Sequence, residues 1–313
     1  MIRRRDLLKA VPHAALFAAG CGTAEPEPPA VASRPRSVSR VVRAMPTRDG
    51  AGVRLSRSIG GRDLPNLDPF LLLDEIRSES ASDYIKGFPD HPHRGFETVT
   101  YMIDGAMEHR DVLGNHGRLT GGAAQWMTAG HGIIHSEMPK QEQGLLWGFQ
   151  LWVNLPAKLK MTTPRYQDIA PERIPEVSLA GARTRVVAGS AGGEVGPVEG
   201  IVVAPTLLDV TIAAGEKFEI PVEPGHQIFA YVLSGAALLG PDATSPATRA
   251  DLVILGAGSS VLARANEETR MLLVAGAPIG EPIARRGPFV MNTEDELDRA
   301  FSDYQSGHLL MGT

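Results

Sequence analysis

The residues with the clearest chemical potential lie in the stretch GFPDHPHRGFETVTYMIDG, residues 87–105. It places His91 and His93 two residues apart and Glu97 four residues further on. Neutral imidazole nitrogens suit iron, copper, nickel and zinc, and a carboxylate adds a hard oxygen ligand. A single His-x-His pair is also common in hydrogen-bonded structure or on a surface. A second set of possible ligands elsewhere in the chain would therefore favour a metal site over these alternatives.

Such a second set occurs in AGHGIIHSEMP, residues 129–139, where His135 and Glu137 are again two residues apart. Residues at this spacing on a strand point to the same face, so each segment offers two inward ligands. Burying such groups unpaired costs several kcal/mol, and one divalent transition metal would satisfy them together. The spacing predicts three imidazoles and one carboxylate around one ion. It leaves open whether the carboxylate is Glu97 or Glu137.

The expected orientation of the His91, His93 and Glu97 side chains depends on whether one regular strand runs through them. An uninterrupted strand through residues 91–103 would place both histidines and Glu97 on the same face as Val99. The apolar members of that set predict that this face is interior. A bulge at Pro92 or Gly95 would break the phase.

The elements that carry these segments are predicted to be strands. The 313 residues include 34 glycines and 24 prolines, and from about residue 41 the chain shows mostly short runs of period two. This pattern is typical of many turns between short strands and predicts an all-β protein. A short helix is expected at the C-terminus, where Thr293 and Glu296 have capping-box spacing.

An internal repeat predicts two domains. YMIDG at 101–105 matches YVLSG at 231–235, an offset of 130 residues. Two such units indicate paired antiparallel barrels of the jelly-roll or cupin kind. We expect a metal-binding cupin domain over 41–160, a linker over 161–200, and a second cupin domain with the terminal helix over 201–313.

The second unit is predicted to be free of metal. At the offset of 130, Pro221, Glu223 and Gln227 stand where the first unit has His91, His93 and Glu97. Without imidazoles at these positions, no comparable ligand set forms.

The first forty residues are predicted to be a signal peptide and a Pro-rich tether. A basic head precedes a short apolar stretch, RRDLLK at 4–9 resembles the twin-arginine export signal, and AAGC at 18–21 resembles a lipoprotein processing box. Cys21 would then be lipidated, and the mature protein would lie in the cell envelope or periplasm, held to the membrane only by that lipid. The alternative is a disordered basic leader with an incidental cysteine.

Charge and cysteine content exclude other classes. The formal net charge is −5, and no basic stripe follows the first residues, which argues against nucleic-acid binding. The single cysteine excludes a disulfide framework and a zinc–thiolate site.

Four long motifs together resemble the pirin family of bicupins: GFPDHPHRGFETVTYMIDG, QWMTAGHGIIHSEMP, FQLWVNLP and GPFVMNTEDELDRAFSDYQSG. The resemblance covers about residues 45–307. It implies two cupin barrels packed face to face, with metal in the N-terminal barrel alone. The ligands that it implies are His91, His93, His135 and Glu137.

The resemblance also assigns supporting roles and an activity. Glu97 becomes a polar residue beside the ligands or in the core, and His131 a residue that orients a ligand or substrate. Four protein ligands leave two positions of a six-coordinate ion open. The quercetinase-like activity that follows is dioxygen-dependent opening of the central ring of a flavonol such as quercetin, with Glu137 taking the proton of the 3-hydroxyl.

The sequence leaves alternatives open for the identity of the metal and for the function. Iron is the first expectation, and nickel, manganese, copper and zinc also suit the ligand set. The expected partners are a phenolic small molecule and dioxygen. Two other functions remain open: a non-catalytic, redox-responsive envelope protein that acts on an unknown protein partner, and a metal-dependent oxidase of another phenolic.

Overall fold

A computed structural model describes residues 33–141 and 143–311. The predicted signal peptide and Cys21 lie outside the described residues. Within the described ranges, no helix combines the length and apolar character needed to cross a membrane.

Most of the described chain folds into short antiparallel strands. The strands of the first part are β1 (Val38–Arg43), β2 (Met45–Asp49), β3 (Val53–Ile59), β4 (Phe70–Ser78), β5 (Phe88–His93), β6 (Phe96–Asp104), β7 (Ala106–Asp111), β8 (His116–Thr120), β9 (Ala124–Thr128), β10 (Ile133–Pro139), β11 (Leu146–Asn154) and β12 (Arg165–Ile169). Single turns of 3-10 helix occur at Ala81–Asp83, Ala157–Leu159 and Pro171–Arg173.

The second part repeats this composition and ends in a helix. Its strands are β13 (Glu176–Leu179), β14 (Ala182–Ala188), β15 (Ser190–Ala191), β16 (Glu194–Val195), β17 (Thr206–Ile212), β18 (Lys217–Pro221), β19 (Gln227–Ser234), β20 (Ala236–Leu239), β21 (Ala247–Thr248), β22 (Asp251–Leu255), β23 (Ser260–Ala265), β24 (Thr269–Gly276), β25 (Ala284–Arg286) and β26 (Phe289–Met291). Helix α1 (Glu294–Gln305) has the predicted capping box of Thr293 and Glu296.

The strands form two barrels of the same plan. The first has a large sheet in the order β12-β9-β6-β11-β4-β3-β2 and a small sheet in the order β5-β10-β7-β8. The second has a large sheet in the order β1-β22-β19-β24-β17-β14-β13 and a small sheet in the order β18-β23-β20-β21. YMIDG on β6 and YVLSG on β19 occupy equivalent places. The predicted all-β fold with two cupin domains and a short terminal helix is confirmed.

The two large sheets pack against each other. One apolar cluster contains residues from both sheets, among them Val99 and Leu151 of the first and Leu252 and Val274 of the second. The rings of Phe70 and Phe229 meet edge to face across this interface, with centroids 5.2 Å apart. The interior of each barrel is a separate apolar cluster.

The matching tyrosines of the repeat cross this interface reciprocally. The Tyr101 hydroxyl of the first barrel donates to Asp209 Oδ2 of the second at 2.7 Å. Asp209 also forms an ion pair with Arg270 at 2.6 Å. The first barrel therefore supplies a donor to a carboxylate buried in the second.

The second barrel makes the equivalent contact with the first. The Tyr231 hydroxyl donates to Glu75 Oε2 at 2.8 Å. The other oxygen of Glu75 accepts from Trp147 Nε1 at 2.8 Å and from Arg249 Nη2 at 2.9 Å. Two buried carboxylates are thus satisfied across the contact between the barrels, as buried charges require.

The predicted tether ends earlier than residue 40. Pro35 pairs with Ser260, and β1 adds to the edge of the second barrel's large sheet beside β22. Buried Arg36 fixes this segment, because its guanidinium donates to four main-chain carbonyls of the second barrel, those of Glu223, Pro224, His226 and Gly256. Residues 33–43 are therefore part of the second barrel.

The segment 161–200, predicted as a linker, is also built into the barrels. Its strand β12 pairs with β9 of the first barrel, and β13 and β14 extend the large sheet of the second. Its proline, glycine and charged residues resemble a linker because β12 and β13 are edge strands with exposed or half-buried positions.

We expect Tyr231→Phe to lower the free energy of unfolding by about 1–2 kcal/mol, because Glu75 Oε2 loses its donor in a buried site. Urea denaturation followed by fluorescence measures this change. Tyr304→Phe is the matched control, since Tyr304 lies 40% exposed on α1. Equal unfolding midpoints for the two variants would contradict a stabilising role for the crossed tyrosine.

Candidate metal centre

Two neighbouring strands of the small sheet carry the three histidines. In the antiparallel pair of β5 and β10, His91 lies opposite His135, and His93 lies opposite Ile133. The alternation of side chains along β5 sends His91 and His93 to the same face. The strand register therefore brings together imidazoles that are more than forty positions apart in the sequence.

The three imidazoles form one compact group. The His91 ring centroid is 4.7 Å from that of His93 and 4.5 Å from that of His135, and the last two are 5.1 Å apart. One ring nitrogen from each histidine lies within 4.8 Å of the others. His93 and His135 are 2% and 0% exposed and His91 is half-buried, and His91 and His93 line a cavity.

Several nitrogens of this group lack a hydrogen-bond partner. His93 Nε2 and both ring nitrogens of His135 are buried and unpartnered. His91 Nδ1 lies 2.9 Å from the Pro89 carbonyl. Burial lowers the pKa of His93 and of His135 well below the ordinary histidine value, so both rings are neutral near pH 7. Buried lone pairs on neutral imidazoles fit a transition-metal ion.

Glu137 lines the same cavity but lies outside the compact group of three. Its Oε1 accepts from Thr100 Oγ1 at 3.0 Å, and its Oε2 accepts from Gln150 Nε2 at 2.9 Å. The structure thus brings together three of the four predicted ligands, the histidines. The fourth, the Glu137 carboxylate, lines the same cavity. Glu137 as a metal ligand stays a prediction.

Thr100 and Gln150 are site residues that the sequence argument missed. Both lie on strands of the large sheet, and the Thr100 hydroxyl shares its one proton between Glu137 Oε1 and Gln150 Oε1, which lies 2.7 Å away. The alternation of side chains along each strand could have indicated them. Thr100 and Gln150 alternate with apolar residues that face the second barrel, so they point to the opposite face. The alternation alone does not tell which of the two faces lines the cavity.

The expectation of one strand through residues 91–103 is wrong. The chain leaves the small sheet after His93 and enters the large sheet at Phe96, with Gly95 between them at φ +88°. Val99 consequently faces the second barrel, whereas Met102 packs inside the first.

Glu97 shares the face of Val99 and lies outside the cavity lining. Its Oε1 accepts from Thr128 Oγ1 at 2.7 Å, and burial raises the pKa of its carboxyl group. Of its two expected places, Glu97 therefore takes the one in the core and not the one beside the ligands, because the break at Gly95 reverses the parity of the strand.

His131 lies in the turn before β10. Its carbonyl accepts from Arg94 Nε, and its main-chain N–H donates to the Thr162 carbonyl at 2.8 Å. Its imidazole is not one of the three clustered rings. These contacts fix the turn that starts β10, and the predicted orienting role of the His131 side chain stays a prediction.

The cavity at the histidines has a volume of about 560 Å³, within the range of small-molecule sites. Its walls include Met102 of β6 and Trp152 of β11. Arg285, Gly287 and Pro288 also line it, and they come from the hairpin of β25 and β26 near the C-terminus. Composition gave no indication that this distant segment covers the site.

Two family models match the chain. One, described as Pirin, covers residues 52–153, and the other, described as Pirin C-terminal cupin domain, covers residues 207–310. A Pirin-like protein of Caulobacter vibrioides is 47% identical over 274 residues, which is 87% of this chain and 98% of that protein. Human Pirin is 43% identical over 263 residues, covering 82% of this chain and 88% of that protein.

Solved structures of the same fold include a Quercetin 2,3-dioxygenase from Acinetobacter baumannii. It is 33% identical with a TM-score of 0.81, over 88% of this chain and 98% of that one. A bacterial pirin, YhhW of Escherichia coli, determined in complex with nickel(II), is 19% identical with a TM-score of 0.59, over 76% of this chain and 98% of that one, and shows the shared fold. The sequence matches cover both barrels, and the chain therefore belongs to the pirin family.

Proposed function

We propose that this protein is a metal-dependent dioxygenase that opens the central ring of a flavonol such as quercetin. The observation that carries the proposal is the group of three imidazoles, two of them fully buried, beside a cavity of about 560 Å³ that His91 and His93 line. The similarity to a Quercetin 2,3-dioxygenase from Acinetobacter baumannii supports the reaction class.

His91, His93 and His135 would hold one divalent transition metal, with Glu137 as the fourth ligand. Iron is the first candidate, and nickel, manganese, copper and zinc are compatible with this ligand set. A bound ion supplies Lewis acidity, which lowers the pKa of a coordinated hydroxyl, and for the redox-active metals it also supplies electron transfer toward dioxygen.

The protein side chains contribute the proton transfer and the shape. Glu137 accepts the proton of the flavonol 3-hydroxyl, and Thr100 and Gln150 hold its carboxylate toward the cavity. Met102, Leu146 and Trp152 give the apolar walls that an aromatic ring system needs and limit the access of water.

We also propose that the protein is exported and lipid-anchored. The support is in the sequence: RRDLLK at residues 4–9 and AAGC at residues 18–21 stand ahead of a Pro-rich stretch. The non-catalytic, redox-responsive alternative would use the same histidine site without turnover.

We expect His93→Ala to lower the bound metal at least about tenfold, because even residues that only support a ligand change metal affinity by 10- to 100-fold. Glu137→Ala should lower it in the same direction. His226→Ala, in the second barrel, is the control and should leave the metal content unchanged. Metal analysis of purified protein provides the measurement, and equal losses in all three variants would show that the second barrel also binds metal.

Anaerobically purified, iron-loaded protein should bleach quercetin and release carbon monoxide when oxygen is admitted. Glu137→Gln should lower the turnover rate about 100-fold or more, since general base catalysis typically contributes 10²- to 10⁴-fold. Absorbance at the flavonol band and gas analysis follow the reaction. Absence of turnover with several metals and several flavonols would favour the non-catalytic alternative.

Labelling of expressing bacteria with a radioactive fatty acid should mark the wild-type protein in the membrane fraction. Cys21→Ala should abolish the label and release the protein from that fraction, because the lipid is the proposed anchor. Equal labelling of both proteins would contradict lipidation at Cys21.

A further inference from the structure

Arg285 brings a cationic group into the metal cavity from the C-terminal hairpin. Its side chain lines the cavity, and its Nη1 donates to the Leu71 carbonyl at 2.9 Å. The guanidinium carbon lies 4.6 Å from the centroid of the Trp152 ring. A main-chain hydrogen bond and a cation–π contact thus fix the guanidinium in one orientation.

Trp152 connects this guanidinium to the histidines. The Trp152 ring meets the His93 ring at 5.2 Å with an interplanar angle of 76°. Guanidinium, indole and imidazole therefore follow one another along one wall of the cavity. Phe96 is stacked against the same indole with centroids 4.3 Å apart, so a planar ligand that reaches the histidines passes the edge of the indole and comes close to the guanidinium.

Arg285 has no carboxylate in direct contact, although Asp74 and Asp49 act on its guanidinium at longer range. The other arginine of the lining, Arg57, forms ion pairs with Asp74 at 2.7 Å and with Asp49 at 2.8 Å. Arg285 forms no ion pair within residues 33–141 and 143–311. Burial lowers the pKa of its guanidinium, although arginine remains protonated in proteins.

Within the described residues, the other two acids of the lining, Glu137 and Asp90, also form no ion pair with Arg285. Both oxygens of Glu137 accept from Thr100 and Gln150. Asp90 lies exposed at the rim of the cavity. A cationic ligand next to Trp152 would meet the guanidinium and be repelled, whereas an anion there would satisfy it.

We propose that Arg285 determines specificity by pairing with an ionised oxygen, a carboxylate or a phenolate, on an aromatic ligand that lies along Trp152. The guanidinium offers further N–H donors in a planar fork, which suits such an oxygen group. This inference deepens the proposed function, on whose cavity it rests, by naming the ligand class as aromatic anions. The pairing itself requires no bound metal.

The test uses the full chain, stripped of metal by a chelator, and two probes of nearly equal shape. Calorimetric titration compares the anion 2-naphthoate with the neutral 2-naphthamide. We expect naphthoate to bind about tenfold or more tightly than naphthamide, because hydrogen bonds between two charged groups are stronger than those between neutral groups. Arg285→Gln should remove this preference and leave the affinity for naphthamide within about twofold, since only the charged contact is lost.

Two further variants separate charge from folding. Arg285→Lys keeps the charge without the planar fork and should retain part of the preference. Arg286→Gln is the matched control on the same hairpin, because Arg286 points outward to Glu294 and Asp298. It should bind both probes as the wild type does.

Three results would overturn the inference: no binding of naphthoate by the wild type, an undiminished preference in Arg285→Gln, or an equal loss in Arg286→Gln. Flavonol turnover is measured separately with metal-loaded protein. Lack of turnover beside an intact preference for naphthoate would remove the proposed function and leave the ligand class standing.

Discussion

The arrangement of the site depends on a steric constraint at Gly95. A Cβ atom at this position would lie 2.0 Å from the Val290 carbonyl oxygen, so no larger residue fits while β26 keeps its place. Buried Lys160 reinforces the contact, since its Nζ donates to the carbonyls of Gly95 at 2.8 Å and of Val290 at 3.1 Å. Burial lowers the pKa of Lys160 to about 8. This junction turns the histidines inward and holds the C-terminal hairpin over them.

The reciprocal tyrosines explain how two similar barrels pack in one defined orientation. Apolar sheet faces alone would permit several relative positions, whereas a buried carboxylate without its donor is strongly unfavourable. Burial raises the pKa of Tyr101 and of Tyr231, which keeps both hydroxyls protonated as donors. The repeated architecture also separates roles: the first barrel carries the imidazoles, and the second carries Pro221 and Glu223 at the equivalent sequence offset.

Local signals in the sequence predicted much of this protein. Alternating strands, the internal repeat, the cap at Thr293 and the convergence of three histidines all follow from periodicity and spacing. The parity of Glu97 could not be predicted, because one glycine reversed it through a contact with a residue near the far end of the chain. Arg285 was missed for the same reason: its position depends on tertiary packing, which no local pattern encodes.

The pairing of β1 with β22 has a consequence for synthesis of the chain on the ribosome. The strand that emerges first has its partner more than two hundred residues later, at Asp251–Leu255. The edge of the second barrel must therefore stay open until translation is nearly complete, while the first barrel has all its own strands well before that point. Such a non-local pairing is slow to form. It makes the integrity of the second barrel depend on both ends of the polypeptide.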